Sequence, residues 1–360
     1  MDTGSSLVWI PCTHSYLCRD CSFPSQPTLQ NPPFIPKFSS SSKLVGCANP
    51  KCSWLSDSDS LQSNCPGCHP NSPLNCSQTC SPYFVLYGSG STGGLLLSET
   101  LVFPEKRITD FGVGCSLFST RMPAGIAGFG RGPASLPSQL GLSRFAYCLL
   151  SHRFDDTTNS SSLVLDGGSG SGSEGVWYTP FLQNPTAGNP SFSEYYYVGL
   201  RKVTVGGKSV KIPYRYLRPG SDGNGGTIVD SGTTFTFMER HLFEPVASEF
   251  VTQVGSRYKT VPELESRVGL RPCFNVSGDI SVTLPKLAFH FKGGAVMELP
   301  LANYFSLVGD PEVACLTIVT DGGSSFSGGP SIMLGNFQQQ NFYMEYDLKK
   351  LRLGFRRQLC

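Results

Sequence analysis

The sequence predicts an all-β class of protein with few helices. Short apolar runs rich in aromatic and β-branched residues, such as Tyr83–Tyr87 and Leu287–Phe291, alternate with turn-forming residues that include 40 Gly and 27 Pro. Such spacing is typical of strands joined by tight turns. A hydrophobic content of 39%, with 24 Phe and 14 Tyr, is ample for a large core and argues against disorder. One convincing helix is indicated by Phe243, Phe250 and Val254, which recur at helical spacing.

The predicted strands follow one another along most of the chain. In order, they centre on residues 7–10, 83–87, 95–103, 111–115, 145–150, 177–182, 195–212, 287–291, 313–319, 332–334 and 342–347. The length of 360 residues corresponds to about two domains. The net charge of +2 gives no reason to expect a nucleic acid or a membrane surface as partner. No apolar run approaches the 18 residues or so of a membrane-spanning helix.

Cysteine usage indicates an oxidising compartment. Of the 14 Cys, nine precede residue 81, in a segment rich in Pro, Ser and Asn that has few apolar residues to pack. Such a segment needs covalent cross-links to hold a shape, which favours disulfides. Zinc is the alternative, because Cys18 and Cys21, and Cys65 and Cys68, have C-x-x-C spacing. However, 43 residues separate the two pairs, against the roughly 15–20 usual for a zinc ribbon.

Three glycosylation sequons agree with a secreted protein, at Asn75, Asn159 and Asn275. We therefore expect a secreted protein, extracellular or in the cell wall, with the vacuole as an alternative. Because the sequence opens directly on Met1 and Asp2, we expect no signal peptide within it.

An internal repeat carries the candidate chemistry. Asp2-Thr3-Gly4-Ser5-Ser6-Leu7 recurs 228 residues later as Asp230-Ser231-Gly232-Thr233-Thr234-Phe235, and Ile126-Ala127-Gly128 recurs as Met333-Leu334-Gly335. A D-[ST]-G-[ST] tetrad should arise by chance about 0.1 times in a chain of this composition, so two copies are improbable. The alternative is a pair of surface turns, which Asp and Gly also favour. Both copies are bracketed by apolar residues, and this favours a functional site over surface turns.

Two buried carboxyl groups within hydrogen-bond reach share one proton, since both cannot ionise cheaply. The ionised one can accept a proton from water while the other donates to a substrate carbonyl. Gly4 and Gly232 allow a close approach, and the hydroxyls of Ser5 and Thr233 can hydrogen-bond the carboxylates. The sequence has no nucleophile elbow, zinc-protease motif or P-loop for a nucleotide phosphate. We therefore expect no cofactor and no metal.

These paired motifs resemble those of pepsin-like aspartic proteases, and the Cys-rich insert is most similar to the plant nepenthesin-like branch. The resemblance implies a bilobal acid-protease fold, with the active site in the cleft between two homologous β lobes. Residues 1–178 would form the N-terminal lobe, with the Cys-rich insert at about 11–82, and residues 179–360 the C-terminal lobe. Asp2 and Asp230 would be the catalytic dyad of a monomeric endopeptidase that hydrolyses peptide or protein substrates at acid pH.

The resemblance implies further roles for individual residues. Tyr87 matches the flap tyrosine and Trp9 the tryptophan that hydrogen-bonds it, although both could be ordinary core aromatics. Thr3 and Ser231 match the hydroxyls that cross-link the two Asp loops. By the same resemblance, the expected disulfides are Cys148 with Cys360 and Cys273 with Cys315. The remaining ten Cys have the parity for five more bridges, whose pairing stays open.

Two departures from the family pattern affect the expected function. The interval from Asp2 to Tyr87 is unusually long, and the signal peptide, pro-segment and opening strands of the family are absent before Asp2. We therefore expect Asp2 to lie on a frayed terminus, and this exact chain to be a weak or unstable form of the protease. A catalytically inactive pepsin-like protein that inhibits microbial glycosidases is the alternative, and a storage protein would leave the repeat unexplained. The intact Asp motifs favour the enzyme.

Overall fold

The chain divides into two compact units, Met1–Gly141 (the first unit) and Leu142–Cys360 (the second unit). A computed structural model describes residues 1–21, 33–55, 65, 68, 76, 78–122, 124–151, 159–166, 174–186, 189–309, 312–321 and 328–360. The boundary lies before residues 144–148, because this strand pairs with residues 342–347 of the second unit. The lobe boundary at residues 178/179 rests on internal homology and stays a prediction.

The first unit is built around one sheet. Its strands are β1 (Trp9–Pro11), β2 (Leu17–Arg19), β3 (Lys43–Leu44), β4 (Tyr83–Tyr87), β5 (Gly90–Val102) and β6 (Arg107–Thr120), followed by helix α1 (Leu136–Leu140), with 3₁₀ helices at Pro36–Phe38 and Pro50–Trp54. The strand order is β1-β6-β5-β3, with β2 also on β6 and β4 also on β5. Strands β4 and β5 form a tight hairpin in which Tyr87 pairs with Gly90.

The second unit contains the remaining elements. They are β7 (Arg144–Cys148), β8 (Leu163–Leu165), β9 (Trp177–Pro180), β10 (Tyr197–Val198), β11 (Leu200–Val205), β12 (Lys208–Ser209), α2 (Tyr214–Leu217), β13 (Thr227–Val229), β14 (Thr236–Met238), α3 (Arg240–Val254), α4 (Pro262–Val268), β15 (Cys273–Asn275), β16 (Leu287–Phe291), β17 (Val296–Glu298), β18 (Phe305–Val308), β19 (Val313–Leu316), β20 (Ile318–Val319), β21 (Ile332–Leu334), α5 (Asn336–Gln339), β22 (Phe342–Asp347) and β23 (Arg352–Arg357), with 3₁₀ helices at Pro190–Glu194 and Leu301–Asn303. Four sheets organise these strands: β10-β13-β21-β14-β20, β12-β11-β16-β17, β15-β19-β18 and β8-β7-β22-β23-β9.

The sheet that contains β13 and β21 positions the second Asp motif. These two strands run parallel, with Val229 beside Leu334. Strand β13 is wholly buried, because β10 covers its other edge. Parallel strands end at the same edge of a sheet, so the residues that follow them, Asp230 and Gly335, emerge side by side.

Helix α3 packs one apolar face into the second unit. The face consists of residues at helical spacing, all buried: Leu242, Phe243, Val246, Ala247, Phe250 and Val254. This is the amphipathic pattern that stabilises a helix through tertiary packing. Pro245 lies in the second turn of the helix, where it removes one backbone N–H donor. In the described residues, no helix has both the length and the apolar composition needed to cross a bilayer.

Seven disulfides use all 14 cysteines. They join Cys12–Cys115, Cys18–Cys21, Cys47–Cys65, Cys52–Cys80, Cys68–Cys76, Cys148–Cys360 and Cys273–Cys315. The sulfurs of Cys47, Cys52 and Cys65 lie within 4.8 Å of one another, because two of the disulfides are adjacent rather than because the thiols surround a metal. The disulfide interpretation of the Cys-rich segment is confirmed.

Removal of the Cys148–Cys360 disulfide should strongly destabilise the protein. This bond closes a loop with a sequence separation of 212, and the entropic stabilisation of a cross-link grows with loop length. With both cysteines replaced by alanine, we expect the free energy of unfolding to fall by about 3–5 kcal/mol. The matched control removes Cys18–Cys21, whose separation is 3, and should cost about 2 kcal/mol. Chemical denaturation measures both values, and equal losses would contradict the loop-length argument.

Candidate active site

Asp2 is tied into the sheet of the first unit. Its backbone N–H donates to Ala127 O at 3.0 Å, and its carbonyl accepts from the N–H of Phe129 at 2.7 Å. Only 8% of Asp2 is exposed. The expectation of a frayed terminus at Asp2 is therefore wrong, because both the backbone N–H and the backbone carbonyl of Asp2 are hydrogen-bonded.

The Asp2 carboxylate accepts two hydrogen bonds from its own turn, residues 2–5 (the first Asp turn). The N–H of Gly4 donates to Oδ1 at 2.9 Å, and the hydroxyl of Ser5 donates to Oδ2. A buried carboxylate is tolerated only when such donors replace the water it has lost. The turn therefore fixes the rotation of the side chain.

Asp230 repeats this geometry in the second unit, in residues 230–233 (the second Asp turn). Its backbone N–H donates to Leu334 O at 3.0 Å. The N–H of Gly232 donates to Oδ1 at 2.8 Å, and Thr233 Oγ1 donates to Oδ2 at 2.6 Å. Asp230 is also 8% exposed. The sequence repeat is thus a repeat of local structure: in each copy, a backbone amide two residues on and a hydroxyl three residues on hold the carboxylate.

A glycine packs against the chain just beyond each Asp turn. A Cβ on Gly128 would lie 2.3 Å from the carbonyl carbon of Ser6, and a Cβ on Gly335 would lie 2.6 Å from that of Phe235. These distances are far shorter than a carbon–carbon contact allows. The apolar-apolar-Gly motif found in the sequence therefore has the same role in both copies, which is a close backbone approach to the Asp turn.

Trp9 and Tyr87 form a hydrogen-bonded pair in the first unit. Trp9 is fully buried, and its indole Nε1 donates to Tyr87 Oη at 3.0 Å. Burial raises the pKa of Tyr87 far above its ordinary value, and the negative charge of Asp2 raises that pKa further. The phenol is therefore neutral at acid and neutral pH. Asp2, Ser5, Trp9 and Tyr87 thus lie close together within this unit.

Two predicted pairs of site residues have one member in each unit. Asp2 and Asp230 belong to different units, so their pairing stays a prediction. The same holds for the expected cross-link between Thr3 and Ser231, both of which are buried.

Of the sequon residues, Asn159 and Asn275 are exposed. Ser277 Oγ donates to Asn275 Oδ1 at 2.6 Å. The remaining sequon residue, Asn75, lies outside the described residues.

The sequence analysis missed a set of buried polar side chains behind the second Asp turn. Gln338 and Gln339 are both fully buried in helix α5. Gln338 Oε1 accepts from the N–H of Thr236 at 2.7 Å, and Gln339 Nε2 donates to Leu334 O at 2.8 Å. The available signal was a run of three glutamines, residues 338–340, which begins three residues after Gly335 of the second apolar-apolar-Gly motif.

A pocket of about 410 Å³ opens at the other end of β13 and β21. Its lining includes Arg215, Asp222, Glu239 and Asp321. Further lining residues, Gly225 and Ser331, lie at the start of the two strands, whereas Asp230 follows their end. A three-residue strand spans about 10 Å, so this pocket is separate from the Asp230 carboxylate.

The chain is similar to known plant aspartic proteases over its whole length. A family model described as "Xylanase inhibitor N-terminal" matches residues 1–167, and one described as "Xylanase inhibitor C-terminal" matches residues 195–357. Aspartic proteinase nepenthesin-2 of Nepenthes gracilis is 34% identical over 99% of this chain and 73% of its own length. A "Probable aspartyl protease" of Arabidopsis thaliana is 32% identical over 100% of this chain and 79% of its own length.

Solved structures agree on the fold. The crystal structure titled "edgp" matches with a TM-score of 0.67 and 20% identity, over 99% of this chain and 87% of that one. Basic 7S globulin from soybean matches with a TM-score of 0.68 and 19% identity, over 98% and 87%. The predicted all-β, pepsin-like fold is confirmed. The family models and the sequence relatives show that the chain belongs to the pepsin-like aspartic protease family, in its plant nepenthesin-like branch.

Proposed function

We propose that this protein is an aspartic endopeptidase that hydrolyses peptide bonds at acid pH through a water activated by Asp2 and Asp230. One observation carries the proposal: two Asp turns, 228 residues apart in sequence, hold their carboxylates in the same way. A binding protein has no need for two matched carboxylates of this kind. General acid–base hydrolysis needs such a pair.

In the proposed reaction one carboxyl group is ionised and the other is protonated, as for two carboxyl groups that share a proton. The ionised group accepts a proton from a water as the water oxygen attacks the peptide carbonyl carbon. The protonated group donates its proton to the carbonyl oxygen, which gives a tetrahedral diol. As the C–N bond breaks, the carboxyl group that took a proton from water donates it to the leaving nitrogen, and the other carboxylate takes a proton from a hydroxyl of the diol. The products are a carboxylic acid and an amine, and the starting protonation of the pair is restored.

Tyr87 is proposed to close over the substrate as the flap residue. It ends β4 at the tip of the β4–β5 hairpin, and Trp9 fixes its hydroxyl by the hydrogen bond at 3.0 Å. Because burial keeps the phenol protonated, Tyr87 can donate a hydrogen bond but cannot repel a developing negative charge. This arrangement supports a positioning role rather than a proton-transfer role.

The setting proposed for this activity is an oxidising compartment, either extracellular or vacuolar. Seven disulfides support it, since such bonds persist outside the cytosol. The exposed sequon residues Asn159 and Asn275 are proposed glycan acceptors, and digestion with an N-glycosidase followed by mass measurement tests them. We propose a monomer that acts on extended peptide segments.

The second candidate is a binding protein that inhibits a glycoside hydrolase. The description of the matching family models as xylanase inhibitor favours it. The two intact Asp turns favour the enzyme, because a protein that only binds a partner needs neither carboxylate.

The two candidates are separated by one set of assays on the complete chain. The protease should degrade a denatured protein at pH about 3–5, and a statine-type transition-state analogue should block the degradation. Degradation that is insensitive to the analogue would reject the proposed dyad. Capture of a xylanase without cleavage of any protein would support the inhibitor instead.

A further inference from the structure

Helix α5 (Asn336–Gln339) holds the second Asp turn and the start of β14 from behind. The first N–H groups of a helix have no partner within the helix, and here two of them reach the neighbouring turn. The N–H of Asn336 donates to Thr233 O at 2.7 Å, and the N–H of Phe337 donates to Thr234 O at 2.9 Å. The helix N-terminus is thus satisfied by the segment that follows Asp230.

Gln338 extends this contact to the far end of the same segment. Its Oε1 accepts from the N–H of Thr236 at 2.7 Å. Its Nε2 donates to Asn303 O at 2.8 Å and to Thr317 O at 3.0 Å. The amide is fully buried and uses both its acceptor and its donor groups, so neither leucine nor glutamate could replace it without leaving a buried group unpaired.

Gln339 acts at the near end of the segment. Its Nε2 donates at 2.8 Å to Leu334 O, and the same oxygen accepts the backbone N–H of Asp230 at 3.0 Å. A carbonyl oxygen has two lone pairs, and here both are used. The amide of Gln339 therefore fixes the oxygen to which the backbone of Asp230 is hydrogen-bonded.

Tyr147 orients the amide of Gln339. Its hydroxyl donates to Gln339 Oε1, so Nε2 must face Leu334. The hydroxyl of Tyr346 lies 3.2 Å from that of Tyr147. Since the proton of Tyr147 is committed to Gln339, Tyr346 is the donor of that second bond. Burial raises the pKa of Tyr147 well above its ordinary value, and the negative charge of Asp230 raises it further, so the donor stays protonated.

We propose that Gln338 and Gln339 are positioning residues for Asp230, and that Tyr147 sets the orientation of Gln339. The backbone of helix α5 holds Thr233 O and Thr234 O, and Gln338 holds the N–H of Thr236. Gln339 holds the oxygen of Leu334, which accepts the N–H of Asp230. Neither glutamine touches the reacting atoms in this scheme. Their effect is to fix the backbone from which the carboxylate projects, and the kinetic part of the inference rests on the proposed protease activity.

The test compares four variants of the complete chain: Gln338→Leu, Gln339→Leu, Tyr147→Phe and Tyr346→Phe. The last is the matched control, because it removes a buried hydroxyl from the same cluster without touching Gln339. Hydrogen exchange monitored by mass spectrometry reports on a peptide that covers residues 228–237. The kcat is measured per active site, with the sites titrated by a statine-type analogue, so that unfolded protein does not lower its value.

Exchange of the 228–237 peptide should rise about tenfold in both glutamine variants and less in Tyr147→Phe. In all three variants the kcat per titrated site should fall about tenfold with KM nearly unchanged, and Tyr346→Phe should match the wild type. A role limited to overall stability would lower the melting temperature and the titrated fraction, but not the kcat per site. Tyr147→Phe removes a single oxygen atom. It tests the inference if the two leucine variants do not fold.

Unchanged exchange in Gln339→Leu and Tyr147→Phe would overturn the inference. An inactive wild-type chain would instead contradict the proposed function. The exchange measurement would then decide the role of the glutamines by itself.

Discussion

Replacement of Asp230 by asparagine should lower the peptidase kcat by about 10²–10⁴-fold, because the variant loses one of the two groups that exchange protons with water and substrate. The substitution is nearly isosteric. We therefore expect the variant to fold and to have a melting temperature close to that of the wild type. Peptidase assays at acid pH, together with thermal denaturation, measure the two expectations separately.

The hydrogen bonds of the second Asp turn explain why Asp230→Asn should keep its geometry. The amide oxygen of an asparagine can accept from the N–H of Gly232, which now donates to Oδ1 at 2.8 Å. The amide NH₂ would then face Thr233 Oγ1, which now donates to Oδ2 at 2.6 Å. A hydroxyl can rotate and accept instead. What changes is the charge, not the position of the side chain.

The same reasoning applies to Asp2, because Gly4 and Ser5 hold its carboxylate in the same way. If the two carboxylates act as one unit, Asp2→Asn, Asp230→Asn and the double variant should all be inactive to a similar degree, since effects within such a unit are not additive. The control is Asp20→Asn. Asp20 is exposed and has a φ of 55°, a conformation that asparagine also adopts. Activity retained in either single variant, or effects that multiply in the double variant, would contradict a shared dyad.

The parts of the fold that the sequence predicted well are those with a strong local signal. Strands β4 and β16 have the bounds expected from their apolar runs, and α3 has the helical spacing of buried residues. The stretch 195–212, which was expected to be strand interrupted at Gly206 and Gly207, contains three strands. A turn at Gly206 and Gly207, both with positive φ, separates the last two, and only glycine adopts that conformation readily.

Strand β23 (Arg352–Arg357) was not predicted, although it lies inside a sheet between β22 and β9. Its arginines gave it the composition of a surface loop. In the structure, Arg352 Nε donates to Asp347 Oδ2 at 3.0 Å, and its guanidinium lies 3.7 Å from the ring centre of Tyr178. These partners come from other strands. Tertiary contacts therefore make a polar sequence compatible with an inner strand.

The candidate site also contains residues whose roles were predictable from local sequence and residues whose roles were not. Each Asp turn was predictable because its carboxylate is held by residues two and three positions away in sequence. The role of Gln338 was not predictable, since its partner Thr236 lies 102 residues away, and Tyr147 lies 192 residues from Gln339. A buried glutamine has no compositional signature that separates it from an exposed one. Its role follows only from which donors and acceptors the fold leaves unpaired.

Gly335→Ala is expected to lower both the stability and the activity of the protein. The φ of Gly335 is −78°, which any residue can adopt, so space rather than conformation requires glycine here. A Cβ would lie 2.6 Å from the carbonyl carbon of Phe235 and 2.7 Å from Thr234 O. Both are backbone atoms, which cannot rotate away as a flexible side chain can. Either β21 or the chain beyond the second Asp turn must therefore move.

That movement acts directly on Asp230. The carbonyl oxygen of Leu334, the residue before Gly335, accepts a hydrogen bond from the backbone N–H of Asp230. We expect Gly335→Ala to lower the free energy of unfolding by about 1–3 kcal/mol, as overpacking does. The kcat per titrated site should fall about 10²-fold, since a misplacement of about 1 Å can cost that much.

Gly128→Ala should act in the same way through Ser6 in the first unit. The control is Gly46→Ala, whose Cβ would meet Gln78 O at 3.4 Å, an ordinary contact. A Gly335→Ala variant with wild-type stability and kcat would show that the Asp turn can move without loss, and would contradict the rigid backbone contact on which the proposed site depends.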